Sequence, residues 1–212
     1  RMSYLTRVIN PALMHTACTT FDTMVLETFT ALFHIPSILL SSNVLKQIRL
    51  PIRFGGLGLI ATADTYSIAF YSSYCLAASQ FPTMLIPHTP LYRIIESCHS
   101  NFFAHGLEEC PRVPFELPDA IESYRHAGTS IDSLQAVIST AIQAAKSKAL
   151  QELMLDSTRT NEHYDLAHRA MLLSCTGPSA SIVLTTLPSD SDSILTNFQF
   201  SVAVRTRLNI VP

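Results

Sequence analysis

Apolar residues recur at helical rather than strand spacing along most of the chain. Over 12–33, Leu13, Ala17 or Cys18, Phe21, Met24 or Val25, Thr28 and Leu32 return every three to four positions, which predicts a long amphipathic helix with that face buried. A shorter helix over 3–10 ends at Asn10-Pro11, and His34 to Pro36 closes the long one, because a residue before proline is driven out of the α region. Ser41-Ser42-Asn43 is a polar break, with Asn43 as the predicted cap of a short helix leading to Leu50. Further on, Thr62 or Asp64 caps a helix to about residue 79, in which Tyr66, Ala69 or Phe70, Ser73 or Tyr74 and Ala77 share a face. That helix is apolar on most sides and reads as central. Another spans 91–105, with Gly106 as its stop.

The most regular stripe lies in 130–156, where Ile131, Leu134, Ile138, Ala141 or Ile142, Ala145, Ala149 and Leu153 align and Ser130 and Asp132 suit the first turn. A helix over 161–174, a turn at Gly177-Pro178 and a last helix ending at Arg207, capped by Ser189 or Ser191, complete the chain. No segment alternates as a strand would. The predicted fold is all-α, an irregular multi-helix bundle divisible into two helical subdomains. These are 1–106 and 130–212, separated at 107–129 by a surface linker with Glu108, Glu109, Glu116 and several prolines.

One stretch interrupts the helical pattern. Leu50-Pro-Ile-Arg-Phe-Gly-Gly-Leu-Gly-Leu holds three of the six glycines, Gly55, Gly56 and Gly58, and predicts a sharp structural turn pressed against other main chain or a ligand. It lacks the GK[ST] ending of a phosphate loop, and no clear strand precedes it.

Composition narrows the function classes. With 48% hydrophobic and only 14% charged residues, the surface must be rich in neutral polar and apolar groups, and the chain reads as a piece of a longer polypeptide. A net charge of −2 excludes a globally basic nucleic-acid binder. The first 53 residues, however, carry five bases against two acids, and Lys46, Arg49 and Arg53 fall close together with no acid among them. Spaced cations of this kind suit backbone phosphates, and the neighbouring Phe54 could offer a stacking face; the alternative is an ordinary solvated surface beside a turn. Five cysteines with no CxxC pair fit reduced thiols of the cytoplasm or nucleus. No secretory signal is visible at the start, and the charge-free 65–92 is broken too often by prolines and polar residues to predict a membrane span.

Other constellations carry little chemistry. Cys98, His99, His105 and Cys110 are soft metal ligands without paired spacing, and His163 and His168 are one residue off the HExxH register, which reads them as surface or partly buried polar residues. Gly177-Pro-Ser-Ala-Ser181 lacks the second glycine of a nucleophile elbow, and Asp190 and Asp192 suit a helix start better than a two-metal site. The sequence therefore predicts no autonomous active site, no cofactor and no metal.

Three blocks together resemble the region following the polymerase core in reverse transcriptases of non-LTR retrotransposons. Arg1-Met-Ser-Tyr-Leu-Thr-Arg-Val-Ile-Asn-Pro, with Phe21-Asp22 in the helix behind it, is similar to the family's R-x-x-Y-L-x-R-x-x-x-P opening. The glycine stretch is similar to its L-P-x-x-x-G-G-L-G-L motif, and the segment from Ser174 through Arg205-Thr-Arg-Leu-Asn-Ile-Val-Pro to its later signatures. Val183 stands where the family has tryptophan, and Asn209 where it has the last glycine. The resemblance implies a thumb and linker region that helps hold template and primer, with Lys46, Arg49 and Arg53 as backbone contacts. It also implies a catalytic palm upstream and a zinc-binding segment downstream in the same polyprotein. The alternative is a helical protein-interaction or scaffold module that binds no nucleic acid.

Overall fold

The computed structural model describes residues 2–81, 89–104, 134–155, 162–176 and 195–210. Among them the fold is all-α: α1 (Met2–Val8), α2 (Pro11–Leu32), α3 (Ser42–Arg49), α4 (Tyr66–Gln80), α5 (Pro90–Ala104), α6 (Leu134–Leu153), α7 (Glu162–Ser174) and α8 (Asn197–Arg207). Short 3-10 turns occupy Ser37–Leu39 and Thr62–Asp64, and the β-type pairing is limited to one isolated bridge, Phe54 with Thr176. None of the described helices is long and apolar enough to cross a membrane. The expected linker 107–129, the stop at Gly106, the caps at Ser130, Asp132, Ser189 and Ser191, and the turn at Gly177-Pro178 lie outside the described residues.

The chain forms two compact units that interleave along the sequence. One comprises Arg1–Met24 and Ala61–Ala145, the other Val25–Ile60 and Lys146–Pro212, so both α2 and α6 run through the division.

In the first unit α4 is central, with α1 and α5 packed on it. Ile68, Tyr71, Cys75 and Ala78 recur at helical spacing on α4 and meet Ile95, Cys98 and Phe102 of α5 and Leu134, Ile138 and Ile142 of α6. Tyr71 is fully buried; its hydroxyl pairs with His99 Nδ1 at 3.1 Å and its ring meets the Phe102 ring edge-on at 5.1 Å. The approach to α4 is capped from a distance rather than locally. No side chain caps α4 at Thr65; instead the Asp22 carboxylate of α2 accepts from the N–H groups of Thr62 (2.7 Å) and Ala63 (2.8 Å).

That contact fixes which side of α2 turns inward, and it differs from the expected one. Met14, Cys18, Asp22 and Phe29 are buried, while Leu13, Phe21, Met24 and Leu32 of the anticipated core face are exposed, Leu13 by 75% and Leu32 by 70%. The helix is apolar on two adjoining stripes, so periodicity alone could not choose between them. The stripe carrying Asp22 is the inner one because its carboxylate has two amide partners there.

The second unit has two apolar clusters. Phe29 and Ile35 pack with Val44 and Ile48 of α3 and with Val204, Leu208 and Ile210 at the end of α8. Leu50, Leu150, Met154 and Leu172 form the other, with Phe54 against them. The predicted stripe of α6 holds as far as Ile142, after which Ser147, Leu150 and Met154 become the buried positions. Two caps are local. Ser41, not Asn43, is the N-cap of α3, its hydroxyl accepting from Val44 N–H. Thr196 and Gln199 close a reciprocal capping box on α8. Asn209, just past α8, has φ +54, a left-handed conformation that asparagine and glycine tolerate best.

Candidate nucleic-acid interface

Helix α3 ends where Leu50-Pro51 turns the chain to extended backbone, and residues 50–59 fold back on the helix they leave. Phe54 and Gly56 N–H donate to Pro51 O at 2.9 and 3.2 Å, Gly58 N–H to Leu50 O at 2.8 Å, and Leu59 N–H to Ile48 O at 3.3 Å. Such tight return makes side chains costly. Gly55 and Gly58 have φ of +84° and +76°, and a Cβ on Gly56 would come within 2.5 Å of Gln47 O and closer still to Leu50 O.

A buried polar cluster holds this turn from three helices. Gln47, fully buried on α3, donates through Nε2 to Gly55 O (3.0 Å) and Arg207 O (2.9 Å). Because both carbonyls must face the amide N–H groups, the Gln47 Oε1 is turned to His168 Nε2, 2.6 Å away on α7. His168 therefore carries its proton on Nε2 and donates it. Arg207, at the end of α8, is buried and inward-directed: Nε donates to Gly56 O (3.0 Å) and one terminal nitrogen to Ile52 O (2.7 Å) and Cys175 O (3.2 Å). His168 is thus a fully buried structural partner, which corrects its reading as a surface or partly buried polar residue.

The candidate cations stand outside this cluster. Lys46 and Arg49 are exposed and lie one turn apart on α3, on the side away from buried Asn43, Val44, Gln47 and Ile48. Arg53 is exposed within the turn, its guanidinium carbon 4.9 Å from the centre of the Phe54 ring. Phe54 does not offer the free stacking face expected of it. Its ring packs on the cluster of Leu50, Leu150, Met154 and Leu172, and a base could stack on it only by displacing Arg53.

Gln47 was not singled out in the sequence, and His168 and Arg207 were noted there without this role. A signal for Gln47 exists: it sits three residues after Val44 and directly before Ile48, on the inner stripe of α3. A lone glutamine on an apolar stripe announces a need for donors there. Arg207 follows Val204 at the same spacing on α8 and belongs to the same inner stripe.

No group of three or more His, Cys, Asp or Glu among the described residues is gathered to hold a metal ion. His105, Cys110, Asp190, Asp192 and the segment from Gly177 to Ser181 lie outside them. Burial pushes the Cys75 thiol from an ordinary 9.0 up to about 12, against a smaller lowering by its hydrogen bond with Tyr71, and pushes the Cys98 thiol up to about 11. Both stay protonated and unreactive near neutrality. The sign of the pH dependence follows. Above pH 9 the unfolded thiols lose protons that the folded ones keep, so stability is full below that pH and falls as pH rises toward 11 and 12. Chemical denaturation at pH 8 and pH 10 should show a loss of about 1–3 kcal/mol for the two thiols together, reduced in Cys75→Ala and Cys98→Ala. An unchanged pH response in these variants would remove the thiols as its source.

No protein-family model matches the chain, and no curated protein sequence or solved structure matches it at a significant level.

Proposed function

We propose that this chain is a non-catalytic, thumb-like part of a retroelement-type reverse transcriptase that grips template and primer through backbone phosphates. Lys46, Arg49 and Arg53 are the contacts. The observation that supports this most is the bonding between sequence blocks on which the resemblance rests. Arg207, of the last block, donates to Ile52 and Gly56 of the glycine block, more than 150 residues away. Asn209, standing where the family has glycine, has the positive φ that explains a glycine at that position. On this reading a palm upstream supplies catalysis, a zinc-binding segment follows, and the protein works in the cytoplasm or nucleus.

The test is binding to an RNA–DNA duplex across salt concentration. The wild-type chain is expected to lose affinity steeply as salt rises, and replacing Lys46, Arg49 and Arg53 by alanine should flatten the logarithmic slope by about 2–3. A flat wild-type response, or a slope untouched by the triple replacement, would sink the proposal.

The exposed stripe of α2 favours a second reading, a protein-interaction module. Leu13, Phe21 and Met24 present exposed apolar side chains on the part of α2 that belongs to the first unit. Association through such a face would be insensitive to moderate salt and abolished by Leu13→Glu with Met24→Glu, changes that leave phosphate binding intact.

A further inference from the structure

We propose that Arg207, although basic and near the candidate phosphate contacts, touches no nucleic acid and instead positions Arg53 by clasping the turn on both sides of it. The inference rests on the phosphate-binding reading above. Arg207 is only 8% exposed, and it donates to three main-chain carbonyls, those of Ile52, Gly56 and Cys175. Two of those carbonyls, Ile52 O and Gly56 O, bracket Arg53 in sequence, so one guanidinium fixes the backbone before and after it. Between them Gly55 O is held by Gln47 and Phe54 is bridged to Thr176. Arg53 thus rises from a backbone tied at the residue before it and the three after it, and its guanidinium rests over a ring that is itself packed in place. Preorganisation of this kind saves the ordering entropy that a free arginine loses on meeting a phosphate.

Lys46 and Arg49 do not depend on the clasp in this way, because they sit on α3, whose own backbone hydrogen bonds define them. The two groups of cations therefore separate the positioning role from general stability. Duplex binding would be measured across salt for Arg207→Lys, alone and combined with Arg53→Ala or Lys46→Ala. Lysine keeps the charge but loses the planar fork. Arg207→Lys is expected to lower the salt slope by about one, Arg53→Ala to lower it no further in that background, and Lys46→Ala to remove its full share of about one. Hydrogen exchange, read without nucleic acid, should show Phe54, Gly55 and Gly56 N–H losing protection at least tenfold while the α3 amides keep theirs.

A full Arg53→Ala effect in the Arg207→Lys background, or equal loss of protection throughout α3, would overturn the positioning role. Wild-type binding that ignores salt while the turn amides respond as expected would instead sink the phosphate reading and leave the clasp standing. Arg207→Gln serves as the second variant, and failure of both to fold would assign Arg207 a purely structural part.

Discussion

Gly56→Ala is expected to lower the folding free energy by at least about 3 kcal/mol. The added Cβ would lie 2.5 Å from Gln47 O and nearer still to Leu50 O, and both are backbone atoms at the end of α3 that cannot swing aside as a side chain could. Relief would require unwinding the last turn of α3 or opening the hydrogen bonds from Gly56 and Gly58 to Pro51 and Leu50. Gly58→Ala is the informative comparison. Its φ of +76° disfavours a side chain, but a Cβ there would meet only the Ile52 side chain, at an ordinary 3.4 and 3.7 Å. That change should cost about 1–2 kcal/mol, the penalty of left-handed backbone alone. Urea denaturation of both variants checks the order, and equal midpoints would mean that main-chain crowding at Gly56 is not what demands glycine.

Gln47→Leu is expected to cost about 3–5 kcal/mol despite nearly matching the volume of the native side chain. Leucine would leave Gly55 O and Arg207 O without their donor and His168 Nε2 without its acceptor, all in a fully buried place. Gln47→Glu should be no milder, since a carboxylate would turn an acceptor toward two carbonyl oxygens. Two residues further along α3, Arg49→Ala should change stability by less than about 0.5 kcal/mol, because Arg49 is exposed. Thermal or urea midpoints of the three variants measure this contrast, and similar losses at positions 47 and 49 would refute it.

The helices were legible because their apolar spacing and breakers are local properties. Pro11 and Leu32 bound α2 within one residue of the expected 12–33, and α7 begins at Glu162 where 161 was expected. The inner face of α2 was not legible, since Leu13 and Met14 open equally apolar stripes and Asp22 chooses between them only once Thr62 and Ala63 are nearby. Capping followed the same division. The Thr196/Gln199 box lies within four residues and was readable in principle, whereas the Asp22 contact spans 40 residues and was not. In the candidate site, the clustering of glycines and the run of Lys46, Arg49 and Arg53 could be seen directly. The buried half of the same site could not, because Gln47, His168 and Arg207 acquire meaning only through partners more than 100 residues apart.

The separation between Gln47 and Arg207, 160 residues, also sets an order of events on the ribosome. At a synthesis rate of about 5–20 residues per second, the glycine turn leaves the exit tunnel roughly 8–30 seconds before the arginine that clasps it. During that interval the carbonyls of Ile52 and Gly56 lack the Arg207 guanidinium, and α3 cannot bury its inner stripe against α8. The glycine turn, made early in the second unit, is therefore completed only after the end of α8 has left the tunnel.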